Sequence, residues 1–122
     1  MIEYHRDDVK KRITLIAQGE VTLTEILEVV SRLVTEGVWA YGLLYDARLR
    51  RGALTSLDLK QLAAVTDDYI AHLGPRGRIA FVVPDEGGYG MAVMYAIIGA
   101  RLDGDNAVFR NRTDAERWLD EA

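Results

Sequence analysis

The chain has 122 residues, 15 basic and 19 acidic, for a formal net charge of −4; that length fits a single domain over residues 1–122, and the acidic balance argues against a general phosphate-backbone binder, so no nucleic-acid partner is expected. With 49% hydrophobic and 28% charged residues and no cysteine, the composition is that of an ordinary globular protein. Disulfides, thiolate metal sites and cysteine nucleophiles are excluded, and a cytoplasmic location is expected. Met1 to Arg6 lacks the apolar stretch of a signal peptide, and the longest apolar run, Met91 to Ile98, is too short to cross a bilayer, so no integral membrane association is expected.

Residues 1–6 and about 11–18 read as two strands joined by turn chemistry at Asp7-Asp8, with Ile13, Leu15 and Ala17 forming an apolar face that Gly19-Glu20 ends. A helix follows. Thr22 and Glu25 have capping-box spacing, Leu23, Ile26, Leu27, Val30, Leu33 and Val34 recur at helical intervals, and Gly37 stops it. Trp39 to Tyr45 is an apolar run suited to a strand covered on both faces, closed by Asp46. Ala47 to Leu54, with Arg48, Arg50 and Arg51, then reads as a long loop.

A second helix is capped by Thr55 or Ser56 and runs to about Leu73, where Gly74-Pro75 forbids continuation. Arg78 to Val83 is the next buried strand, ended by Pro84. The glycine-rich turn 85–90 leads into a helix from about Gly88 to Leu102, and Asp103 to Asn106 forms a turn. Ala107 to Arg110 is a short last strand. Thr113 and Glu116 have the spacing of another capping box, opening a terminal helix that buries Ala115, Trp118 and Leu119. The order β-β-α-β-α-β-α-β-α makes this an α/β fold: a mixed, mostly parallel sheet of about five strands with four helices packed on it.

In such sheets ligands bind beyond the carboxyl ends of the strands. That points to the loops after Asp46 and Pro84, where Asp46, Arg48, Arg50, Arg51, Asp85 and Glu86 are the candidate ligand-binding set. Arginine forks hold phosphates or carboxylates, although arginines also occur as plain solvated loop charges. Gly88 and Gly90 precede a helix start, where backbone N–H groups attract anions, but the third glycine of a dinucleotide fingerprint is absent, Val93 standing in its place. No metal site is expected from the two histidines, His5 and His72, and no cofactor. Neither serine, Ser31 nor Ser56, sits in a nucleophile elbow, so no catalytic residue is assigned and the chain reads as a non-enzyme. The segment after Gly88 is apolar nearly all round; Tyr89, Met91, Met94 and Tyr95 are candidates for a partner or homodimer surface, with core packing as the alternative.

Several local patterns resemble the SpoIIAA-like branch of the STAS and Sec14-like superfamily. They are Gly19-Glu20-Val21-Thr22 entering the first helix, Tyr45-Asp46 ending a strand, Arg78-Ile-Ala-Phe-Val-Val, Tyr89-Gly90-Met91-Ala92, and Val108-Phe109-Arg110 followed by Thr113 to Leu119. The resemblance implies a SpoIIAA-like fold and a regulatory, protein-binding or ligand-binding module. The anti-sigma factor antagonists of that wider family carry a phosphorylatable Ser or Thr after the strand-ending Asp. Here Asp46 is followed by Ala47, so the usual phosphoserine switch is not expected, and Thr55 and Ser56 do not match its position. Two functions stay open: a regulatory module binding an unknown protein, and a binder of a small anionic metabolite or acyl ligand at the arginine loop and an apolar pocket.

Overall fold

The computed structural model describes residues 1–52, 54–84 and 106–121. Strand β1 (Ile2–Asp7) pairs antiparallel with β2 (Arg12–Glu20). The turn between them is built by Asp7, whose carboxylate accepts the backbone N–H groups of Val9 and Lys10. Helix α1 (Leu23–Thr35) begins with the expected capping box, Thr22 and Glu25 each satisfying a backbone donor near the other. Then follow β3 (Gly42–Arg51), α2 (Ser56–Leu73), β4 (Ile79–Val82), β5 (Asn106–Phe109) and α3 (Arg112–Asp120). The five strands lie in the order β1-β2-β3-β4-β5, with every pairing after the first parallel. This is the mixed, mostly parallel sheet expected from the sequence, with three helices among the described residues. The helix expected at 88–102 lies outside them.

Strand β3 departs most from expectation. It starts at Gly42 rather than Trp39, because Val38 and Tyr41 close a turn after α1 through Val38 N–H to Leu33 O and Tyr41 N–H to Val38 O. It also runs on past Asp46. Ala47 to Arg51 are strand, not loop, because Gln18, Gly19 and Glu20 of β2 continue to pair with Leu49, Arg50 and Arg51. Gly19-Glu20 therefore lies inside β2. The register shifts between Ile16 and Gln18, so one extra residue is inserted on β3 and its side-chain alternation flips there. At the other end of the chain, Asn111 caps α3 instead of Thr113: its Oδ1 accepts the Asp114 N–H at 2.9 Å, and Thr113 falls inside the first turn. Asn106, expected in a turn, opens β5.

Alternation along the strands sends side chains to two different cores. One lies under α1 and α2 and joins Ile13, Leu15, Leu43, Tyr45, Ile79 and Phe81 of the sheet to Val30, Leu33, Leu59 and Leu62 of the helices. The other lies under α3, where Leu44, Ala80, Val82, Ala115 and Leu119 pack with Phe109 and Trp118 beside them. The central strands are thus covered on both faces, which is why they read as unbroken apolar runs.

Candidate functional site

The arginines after Asp46 stand on an extended strand, so they do not converge as a loop would bring them together. Asp46, buried on the α3 side with Leu44, is gripped by Arg48: the Arg48 Nε donates to Oδ1 at 3.0 Å, its Nη2 to Oδ2 at 2.8 Å, and its backbone N–H to Oδ1 at 3.1 Å. Burial works to raise the Asp46 pKa, but these bonds from Arg48 outweigh it and the carboxyl sits below the usual aspartate value. Past the bulge, Arg50 points to the other face, donating to the Tyr45 hydroxyl at 3.3 Å and the Val21 carbonyl at 3.4 Å. Arg51 is exposed at the strand end. Ala47 is buried, and Thr55 uses its hydroxyl to cap α2, accepting the Asp58 N–H at 3.1 Å. Asp85, Glu86, Gly88, Tyr89, Gly90, Met91, Met94 and Tyr95 all lie outside the described residues.

A second cationic patch comes from residues not singled out in the sequence. Arg6, Lys10, Arg12 and Arg112 line an open groove between the hairpin and α3. Its arginines are neutralised in place: Arg12 pairs with Asp120 at 2.6 Å, Arg112 with Glu116 at 2.9 Å, and Arg6 with Asp8 at 2.6 Å. Among the described residues, no group of three His, Asp or Glu side chains is placed to share a metal ion.

The geometry most unlike a finished core lies on the opposite face. Between α1, α2 and the sheet is a cavity of about 110 Å3. Val29, Val30 and Leu33 of α1 and Leu62 and Thr66 of α2 form its roof; Leu15, Leu43, Tyr45, Ile79 and Phe81 form its floor. The Thr66 hydroxyl donates to the carbonyls of Leu62 and Ala63, so it adds little polarity. Ile2 and Val29 line both this cavity and a surface groove shared with Tyr4, Glu25, Glu28 and Arg32, so cavity and groove meet at those two half-buried side chains.

Arg76, in the turn between α2 and β4, is the one charged side chain lining the cavity among the described residues. Only 7% of it is exposed. Its guanidinium lies over the Trp39 ring, 5.0 Å from the centroid, and its Nη2 donates to the Tyr41 carbonyl at 3.2 Å. Its Nη1 is buried with no hydrogen-bond partner among the described residues. Burial pulls its pKa down to about 10, the Tyr4 phenol working weakly the other way, so it still carries its charge at neutral pH. Backbone packing fixes it there. A Cβ on the next residue, Gly77, would stand 2.5 Å from the Ala40 carbonyl oxygen, so this turn can lie against residues 40–41 only with glycine in place. Trp39 closes the same junction by donating from Nε1 to the Gly74 carbonyl at 2.9 Å. Gly74-Pro75 is legible in the sequence as a helix stop, whereas Arg76 carries no local signal.

The chain matches no protein-family model and no curated protein sequence. Among solved structures it is similar to an uncharacterised DUF3478-family protein with a SpoIIAA-like fold from Shewanella loihica PV-4. The TM-score is 0.63 at 17% sequence identity, over 98% of this chain and 92% of that one. The chain therefore has the SpoIIAA-like fold expected from its sequence, and at that identity the likeness speaks to fold alone. No helix among the described residues is long and apolar enough to cross a membrane.

Proposed function

We propose that the protein is a non-enzymatic binding module that takes one small, compact apolar molecule into the cavity between α1, α2 and the sheet. The observation that carries this reading is a cavity of about 110 Å3 walled almost wholly by aliphatic and aromatic side chains. Protein cores rarely leave such voids, because close packing is worth free energy. An apolar cavity of about 150 Å3 stays dry and admits benzene, so this smaller one, at about 110 Å3, sets an upper limit near a small ring or a short branched chain. A ligand of that size binds with a Kd of roughly 10 μM to 1 mM. At ten times Kd, toluene should stabilise the protein by about 1.4 kcal/mol and raise its melting temperature by a few degrees. Val30→Phe, which places a ring in the void, should abolish that shift. A wild-type protein that toluene and benzene leave unshifted would remove the reading.

A partner-binding regulatory module is the second reading, favoured by two exposed leucines near the carboxyl end of β3, Leu49 at 63% and Leu57 at 66% exposure. A dimer in light scattering that Leu57→Asp dissociates supports it in its homodimeric form; a monomer in both proteins removes that form.

A further inference from the structure

We infer that the protein forms a symmetric dimer in which the β1 strands of two copies pair antiparallel about Tyr4, joining their sheets edge to edge. This interface is separate from the cavity and from the surface at Leu49 and Leu57. Among the described residues β1 pairs only with β2, so its outer edge carries no ladder. The direction of its backbone groups follows from one pair: the Gln18 N–H donates to the Met1 carbonyl at 2.8 Å, and the Met1 nitrogen to the Gln18 carbonyl at 2.9 Å. Hydrogen-bonded and non-hydrogen-bonded pairs alternate along an antiparallel ladder. Glu3, His5 and Asp7 therefore turn their backbone groups toward β2, and Ile2, Tyr4 and Arg6 turn theirs outward. The strand holds no proline or lysine, and its register with β2 shows no bulge, so the common devices that blunt a sheet edge are missing.

A second copy fits this edge, and its charges choose the register. With a two-fold axis at Tyr4, Ile2 of each copy faces Arg6 of the other, and the two Tyr4 residues face each other. Every outward N–H and C=O of the strand then meets a partner. On the opposite side of the sheet, Glu3 of each copy stands across from His5 of the other, an acid beside a base. Moving the axis to His5 would set Glu3 against Asp7, and moving it to Glu3 would set that carboxylate against its own copy. Each shift also leaves an outward residue, Ile2 or Arg6, beyond the end of the partner strand. Helix α1 runs beside β1 in the same direction, Glu25 next to Met1 and Glu36 next to Tyr4 and Arg6. The same axis lays the two α1 helices antiparallel, with Glu25 and Glu28 of one toward Arg32 of the other, over the half-buried Ile2, Tyr4 and Val29.

Sedimentation equilibrium on the unaltered chain should show a dimer by about 0.5 mM, since a short edge contact gives a weak Kd. Tyr4→Pro removes an outward N–H that β2 does not use, and should raise the dissociation constant at least tenfold with the circular dichroism spectrum unchanged. Leu57→Asp should leave the dimer intact. A wild-type chain still monomeric at that concentration overturns the inference, and so does a dimer that Tyr4→Pro leaves as tight. If Tyr4→Pro does not fold, cysteines decide. The chain has none of its own, and Glu3→Cys combined with His5→Cys sets thiols opposite each other in non-hydrogen-bonded pairs, with Cα atoms about 4.5 Å apart. Mild oxidation should convert that double variant to a covalent dimer and leave each single variant uncrosslinked. A double variant that stays monomeric, or single variants that crosslink as readily, would overturn the register and the interface with it.

Discussion

On the α3 face of the sheet, Leu44, Ala80, Val82 and Ala115 are each 0% exposed, and the buried carboxylate Asp46 is held through both oxygens by Arg48. On the α1–α2 face the side chains are larger, a cavity of about 110 Å3 remains, and the buried Arg76 keeps one nitrogen unpartnered. The contrast follows from residue size and chain path. Alanines at positions 80 and 115 let α3 settle closely on the strands, whereas two helices bridging over Leu15, Leu43 and Phe81 meet through long side chains that do not fill every gap. Charge follows the same division. Arg48 is partly exposed and needs little from the fold, so Asp46 gains a partner without a second buried ion; Arg76 is deep and is answered by a carbonyl and a ring. Among the described residues, the α3 face is packed without a comparable void, and the α1–α2 face keeps one.

The largest effects should come from removing core volume. Leu44→Ala, on the tight face, should cost about 4–5 kcal/mol in urea denaturation, while Leu62→Ala, beside the existing void, should fall near the low end of the same range, about 2–3 kcal/mol. Equal costs would erase the distinction. Adding volume sharpens it further. Ala80→Leu should destabilise by about 1–3 kcal/mol through overpacking, whereas Val30→Phe should stay within about 1 kcal/mol of wild type.

The buried charges give smaller, oppositely directed effects. Asp46→Asn should lose about 1–3 kcal/mol at pH 7, since it breaks a charge-assisted pair. The Asp46 pKa is lowered in the fold. Its contribution is therefore fully present above the ordinary aspartate value, about 3.9, and is lost as pH falls through the lower folded value. The stability gap between wild type and Asp46→Asn should accordingly close below about pH 4; a gap unchanged in acid would mean that the carboxylate is not what stabilises this face. Arg76→Met should be the mildest, neutral or stabilising by up to about 1 kcal/mol in the absence of ligand, because it replaces an unsatisfied buried ion with an apolar chain.

Local signals were legible in the sequence and long-range ones were not. The hairpin and the caps of α1 and α2 depend on residues a few positions apart, and Thr22, Glu25 and Thr55 act as their spacing indicates. The length of β3 depends on its register with β2, thirty residues earlier in the chain, so Asp46 looked like a strand end and the arginines behind it looked like a loop. The cap at Asn111 was hidden by the equally plausible Thr113-Glu116 spacing just beyond it. Arg76 was invisible for the same kind of reason: what buries it is Trp39 and what accepts its hydrogen bond is Tyr41, 35 residues away. The carboxyl end of β3 read as an anion site, and there Arg48 serves Asp46.

The central claim is that the α1–α2 face, and not the α3 face, is the one that accepts a ligand. Methyl NMR on a sample labelled at Ile, Leu and Val, titrated with toluene, tests it most directly. Val30, Leu33, Leu62 and Ile79 line the cavity, and their methyl signals should move saturably, while those of Leu44, Val82 and Leu119 stay in place. Signals that remain fixed on both faces, or that move only under α3, would contradict the account.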